Sequence, residues 1–142
     1  MLRKNNHSAH GARRGRRRRN GGAVVELAVC LPVIALIGFG SMEAASMIFL
    51  RQALVQSAYE TVKESVKTNG DQATARLRGK QVLEAREING ETISFEPALT
   101  DDLPRGTPVT VTVTAPGDSN SVISFGPFKG QKITVTATML KE

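Results

Sequence analysis

Tryptophan is missing from this chain of 142 residues, and Tyr59 is its only tyrosine. Five phenylalanines must therefore supply most of the large apolar volume of any core. Cysteine occurs once, at Cys30, so no intramolecular disulfide can form and the redox compartment leaves no mark on the sequence. Histidine occurs only at His7 and His10, both in a polar N-terminal stretch. The part of the chain able to fold thus has no imidazole for base catalysis and no ligand set for a metal site. Acidic residues are absent from positions 1–20.

What is present in those twenty positions is basic: Arg3, Lys4, Arg13, Arg14, Arg16, Arg17, Arg18 and Arg19. These are eight of the 19 Lys and Arg residues, which leaves eleven for the remainder against 13 acids. The formal net charge of +6 is therefore a property of the tail, and the rest of the chain is slightly acidic. A uniformly basic domain would point to nucleic acid. A basic tail beside an apolar run points to membrane orientation, with Arg13, Arg14 and Arg16 to Arg19 as the topology determinants. The other reading of the arginine run, a nucleic-acid arm, lacks interleaved aromatics to stack on bases, so no nucleic-acid partner is expected. Residues 1–20 bury too little apolar surface to offset ordering and read as a disordered cytoplasmic tail that touches anionic lipid.

Residues 21–50 read as a transmembrane helix. Leu27 to Met42 is uncharged and lies between Glu26 and Glu43. Those residues cover about 24 Å, and the flanking apolar residues complete a span of about 30 Å with each glutamate near an interface. Pro32 is tolerated inside a membrane helix. The competing reading is a cleaved secretory signal peptide, which shares the basic flank and apolar centre. Against it stand the length of the run, Glu26 at its start, and the charge of Glu43 at the small-x-small site Glu43-Ala44-Ala45.

Residues 51–142 read as one extracytoplasmic domain with a thin core. Leu54, Ala58, Val62 and Val66 recur every four residues, with Val55 and Tyr59 broadening the stripe, so the helix continues past the bilayer until Asn69-Gly70. A second helix is expected from about Asp71 to Arg86, with Leu77 and Val82 facing inward and Gly79 weakening it. The period then becomes two. Thr92 to Phe95 is a short strand, Val109, Val111 and Val113 alternate with threonines, and so do Ile133, Val135, Ala137 and Met139. One apolar and one threonine face suit an antiparallel sheet packed on one side. Ser121 to Phe125 offers a fourth, edge strand. The fold class is α+β: a transmembrane helix extended into an outer domain with a second helix and an antiparallel sheet of three or four strands.

No catalytic constellation accompanies this pattern. There is no phosphate loop and no nucleophile elbow, and Asp101-Asp102 reads as a turn. No enzyme activity, cofactor, metal or small-molecule substrate is expected.

The stretch from Arg16 to Glu60 resembles the TadE/TadG-like family of minor pilins, from bacterial tight-adherence (Flp-type) pilus and secretion systems. Gly21, Gly22, Ala23, Val25 and Glu26 match its opening, Leu31-Pro32 and Glu43 its middle, and Arg51, Gln52, Ala53 and Leu54 its end. Ser57-Ala58-Tyr59-Glu60 departs from the Ala-Ala-Arg-Glu that relatives tend to carry. The resemblance spans about residues 20–62 and leaves the β-rich part outside. It implies a pilin-like fold, residence in the bacterial cytoplasmic membrane, processing by a prepilin peptidase, and association with other pilus or pseudopilus subunits. It also implies a cut after a glycine. Cutting between Gly21 and Gly22 makes Glu26 the fifth mature residue, and cutting after Gly22 makes it the fourth. The alternative is a signal-anchored membrane protein whose outer domain binds a partner or an envelope polymer.

The charge asymmetry predicts a cytoplasmic N-terminus and an outer C-terminus. A reporter active only in the cytoplasm, fused after Glu142, is expected to stay silent; a strong signal would reverse the topology.

Overall fold

The computed structural model of the chain describes residues 20–100, 103–121 and 130–142. By its internal contacts the chain divides into two units, Met1–Ala35 and Leu36–Glu142. The first helix, α1, runs from Asn20 to Ser65 and contributes to both.

In the first unit α1 is the only described element. Every residue from Gly21 to Ile34 is exposed, including Val24, Val25, Leu27, Val29, Leu31, Val33 and Ile34. A helix that is apolar all round needs an apolar environment on every side. Among the described residues α1 is the one helix long and apolar enough to cross a membrane. Pro32 lies within it without ending it.

The second unit has an α+β layout. After α1 come α2 (Gln72–Glu84), β1 (Thr92–Glu96), β2 (Pro108–Pro116), a 3-10 turn at Asp118–Asn120, and β3 (Lys132–Leu140). The three strands form one antiparallel sheet in the order β1-β2-β3. The expected strands at 92–95, 109–113 and 133–139 are therefore all present. The fourth expected strand, Ser121 to Phe125, lies outside the described residues but for Ser121 itself.

Alternation explains the sheet. Val109, Val111, Val113 and Ala115 are fully buried, while Thr110, Thr112 and Thr114 on the other face are half-buried. Register pairs Val111 with Ala137 and Val113 with Val135. On the threonine face, hydroxyls meet across the strands at 2.8 Å (Thr110 and Thr138) and 3.0 Å (Thr114 and Thr134). The buried row of β2 and Ile93 of β1 join Leu50, Ala53, Leu54, Ala58 and Val62 of α1, and Val66 just beyond it, in one core. The sheet thus covers the stripe on α1, as its four-residue period implied.

The other edge of that stripe differs from expectation. Val55 and Tyr59 are half exposed, and the buried face widens through Ser57, Thr61 and Ser65 instead. Three hydroxyls in a core are tolerable because each donates a hydrogen bond to a carbonyl. Ser57 Oγ donates to Gly79 O at 3.0 Å, Thr61 Oγ1 to Ser57 O at 2.7 Å, and Ser65 Oγ to Val62 O at 2.7 Å.

Those small side chains make room for α2. Asp71 caps its N-terminus, its carboxylate accepting from Ala73 N and Thr74 N at 3.1 Å each. Ala75, Gly79 and Leu83 face inward, whereas Leu77, expected inside, is 57 % exposed. The turn of the helix is set by Gly79. A Cβ there would stand 2.0 Å from Thr61 Oγ1, so only glycine permits the approach to α1. The residue that weakens the helix as a propensity is the one that packs it. α2 ends in a Schellman-type closure, with Ile88 N bonded to Leu83 O and Glu87 N to Glu84 O, both at 3.0 Å. Glu87 carries the left-handed φ of 58° where glycine is usual.

The last described residues close the unit. Glu142 N donates to Val66 O at 2.9 Å. Lys141 Nζ donates to Ser65 O at 3.2 Å and Lys67 O at 2.8 Å, satisfying carbonyls at the C-terminal end of α1.

Gly79→Ala should destabilise the domain by about 1–3 kcal/mol, as overpacking does. Thermal unfolding followed by circular dichroism would show it. Adding Thr61→Ala should recover part of the loss, and no recovery in the double variant would mean that the α1–α2 contact is not the source.

Candidate functional site

The family-matched positions divide between the two units. Gly21, Gly22, Glu26 and Pro32 lie in the first; Glu43, Arg51 and Gln52 lie in the second. Arg13, Arg14 and Arg16 to Arg19 lie outside the described residues.

Gly21 and Gly22 occupy the first turn of α1, and a Cβ at either would meet nothing within 4 Å. The fold of this chain gives no steric reason for glycine at these two positions. Glu26 follows one turn later and is exposed, with no hydrogen bond or ion pair to any described residue. A carboxylate on an apolar helix is costly in a lipid environment unless something pairs with it. This arrangement combines an accessible small-residue dipeptide and a nearby lone acid, on a stretch of α1, residues 21–34, in which every residue is exposed.

In the second unit Glu43 is buried at 4 % exposure. Met47, one turn on, lies against the turn after β2, where a Cβ on Gly117 would stand 2.9 Å from its Cε. Leu50 is 1 % exposed. Packing of the second unit on α1 therefore involves residues from Glu43 onward.

Arg51 and Gln52 come together on the free side of the same helix. With Ile48, Val55, Gln56 and Tyr59 they line a shallow, mainly apolar groove of about 600 Å³. The sequence assigned Val55 and Tyr59 to the buried stripe, so this groove was missed. The signal for it was the run of small residues Ala53, Ser57, Thr61 and Ser65, which permits the buried face to lie on their side instead. Beside the groove, Arg86 donates to Gln56 Oε1 and places its guanidinium over the Phe49 ring, 5.7 Å from the centroid. Among the described residues no group of three or more His, Cys, Asp or Glu side chains is placed to hold a metal ion.

The model of one family, described as TadE-like protein, matches residues 21–63. This is just under a third of the chain, and it coincides with the stretch on which the resemblance rests. No curated protein and no solved structure matches the chain. The matched segment holds every described family-matched position, and α2 and the sheet lie beyond it.

The burial of Leu50 makes a boundary testable. A soluble fragment beginning at Ser41 should unfold at a higher urea midpoint than one beginning at Arg51. Leu50 alone accounts for about 1.5–3 kcal/mol of that difference. Coincident midpoints would show that residues 43–50 contribute nothing to the domain.

Proposed function

With residues 21–63 forming a TadE-like segment, we propose that the chain is a non-enzymatic minor pilin or pseudopilin-like component of a bacterial tight-adherence (Flp-type) pilus or secretion system. It sits in the cytoplasmic membrane through α1, tail inside and second unit outside. A prepilin peptidase cuts it at Gly21-Gly22, and it then associates with other pilus subunits. The observation that carries this reading is the pairing of two exposed, sterically unneeded glycines with a lone Glu26 one turn downstream, inside the family-matched segment.

The chemistry gives each part a task. The arginine tail holds the N-terminus on the cytoplasmic side. Glycines present a backbone that a protease can approach without side-chain obstruction. Cleavage creates a new α-amino group at the end of an apolar helix, a charge with no partner of its own. When helices gather, that amine and the Glu26 carboxylate of a neighbouring subunit neutralise each other in a low-dielectric bundle. An uncut chain has no such amine, so cutting and assembly are linked by one ion pair. The α+β unit supplies the surface that meets the exterior.

N-terminal sequencing of the membrane-extracted protein should begin at Gly22 or Ala23. A chain that starts at Met1 would leave the signal-anchored alternative standing. Glu26→Ala should insert at least as well as the parent, because it removes a charge from the helix. It should nonetheless fail to co-purify with the other pilus components, since an unpaired buried charge costs about 3–5 kcal/mol. Full recovery of processed Glu26→Ala in such pull-downs would remove the ion-pair mechanism.

A further inference from the structure

The groove on α1 belongs to a longer pattern. Gly38, Ser41, Ala45, Ile48, Gln52, Val55 and Tyr59 are spaced alternately by three and four residues and are all exposed. This is the seam of a heptad repeat, with Gly38, Ala45, Gln52 and Tyr59 at a positions and Ser41, Ile48 and Val55 at d positions. In sequence the same spacing extends back through Val24, Leu27, Leu31 and Ile34. Between Glu43 and Ser65 the exposed large apolar side chains of α1 are Ile48, Phe49, Val55 and Tyr59. Three of these lie on the seam, and Phe49 has Arg86 over its ring. Leu50, Leu54, Ser57 and Thr61, buried in the domain, occupy the opposite side of the helix. The domain therefore covers one face of α1 and leaves a heptad face bare.

We propose that a second copy of this chain occupies this face, its α1 lying parallel and in register. Parallel alignment rests on the membrane-anchored reading above, which gives both copies the same direction. Three features specify a copy as the occupant. Gln52 is a polar residue at an a position, and its amide carries both a donor and an acceptor. In a parallel, in-register pair it meets its own counterpart and satisfies it, the device by which a single polar a residue fixes register. Arg51 flanks the seam at a g position, where the parallel arrangement places it beside the uncharged Gln56 of the second copy. An antiparallel pair centred on the groove would set Gln52 opposite Val55 and leave its amide without a partner. The seam from Gly38 to Tyr59 covers three heptads, the length at which such repeats sustain pairing. Its first part, Gly38, Ser41 and Ala45, is small enough for close backbone approach.

The test is disulfide trapping in isolated membranes of cells producing the full chain, with Cys30→Ser removing the native thiol. Gln52→Cys, Val55→Cys and Tyr59→Cys are made singly, with Lys80→Cys on the exposed side of α2 as the control. Mild oxidation should give a band at twice the mass of the chain for all three seam variants and none for the control. Same-residue disulfides at three successive seam positions require a parallel, in-register pair. Adding Val55→Asp, an exposed position whose change spares the core, should abolish the Gln52→Cys dimer. Seam variants that trap no better than Lys80→Cys in a membrane-resident chain would overturn the proposal alone. Trapping at a single position would overturn it in favour of an antiparallel contact. A product of any other mass would overturn it in favour of a different protein. A chain missing from the membrane fraction would remove the anchored reading and the parallel pair together.

Discussion

Everything in the second unit depends on one contact, the burial of the segment from Leu50 to Val66, the last turns of α1 and the residue after it, beneath the valine row of β2. Without tryptophan and with little aromatic volume, the domain cannot build its core from a few large anchors. It uses many small and branched side chains at close range. Such a core is sensitive to separation, because dispersion falls steeply once surfaces part by a fraction of an ångström. The remaining elements can be understood as means of holding that distance.

α2 does so through Gly79, whose missing side chain lets the helices approach until Ser57 reaches the Gly79 carbonyl. The turn after β2 does so through Gly117, which leaves space for Met47. Asn120 ties this turn to the end of α2, its Nδ2 donating to Asn89 O and Pro116 O and its Oδ1 accepting from Asn89 N. These polar groups add little energy each. They set where the apolar surfaces meet, and a hydroxyl or amide whose bond requires one alignment penalises every other.

Strands were the more legible part of this fold. Alternating Val and Thr leaves one possible inner face, and β2 and β3 follow it residue by residue. Helices were less legible, because a period of four gives the direction of the stripe but not its width. When Ser and Thr bury their hydroxyls on the backbone, the inner face includes residues that composition assigns to the surface. Val55 and Tyr59 were placed inside for that reason, and Leu77 was preferred to Gly79. The positions of the candidate site were legible only as motifs in order. Their division is a property of the tertiary structure: Glu26 lone on a bare helix, Glu43 enclosed, Arg51 and Gln52 beside a groove. No local pattern distinguishes an acid that will be enclosed from one that will not.

The bonds from Lys141 to the end of α1 have a consequence for synthesis. They join residues separated by 74 and 76 positions. The carbonyls of Ser65 and Lys67 are made well before the ammonium that caps them, which follows only after α2 and the three described strands. β3 arrives late as well, so the outer strand of the sheet and the closure of the helix are completed together. Such non-local closure delays the cooperative step of folding until residue 141 has emerged. A chain arrested before residue 108 would lack the valine row of β2 and present the face from Leu50 to Val66 to whatever apolar surface is nearest.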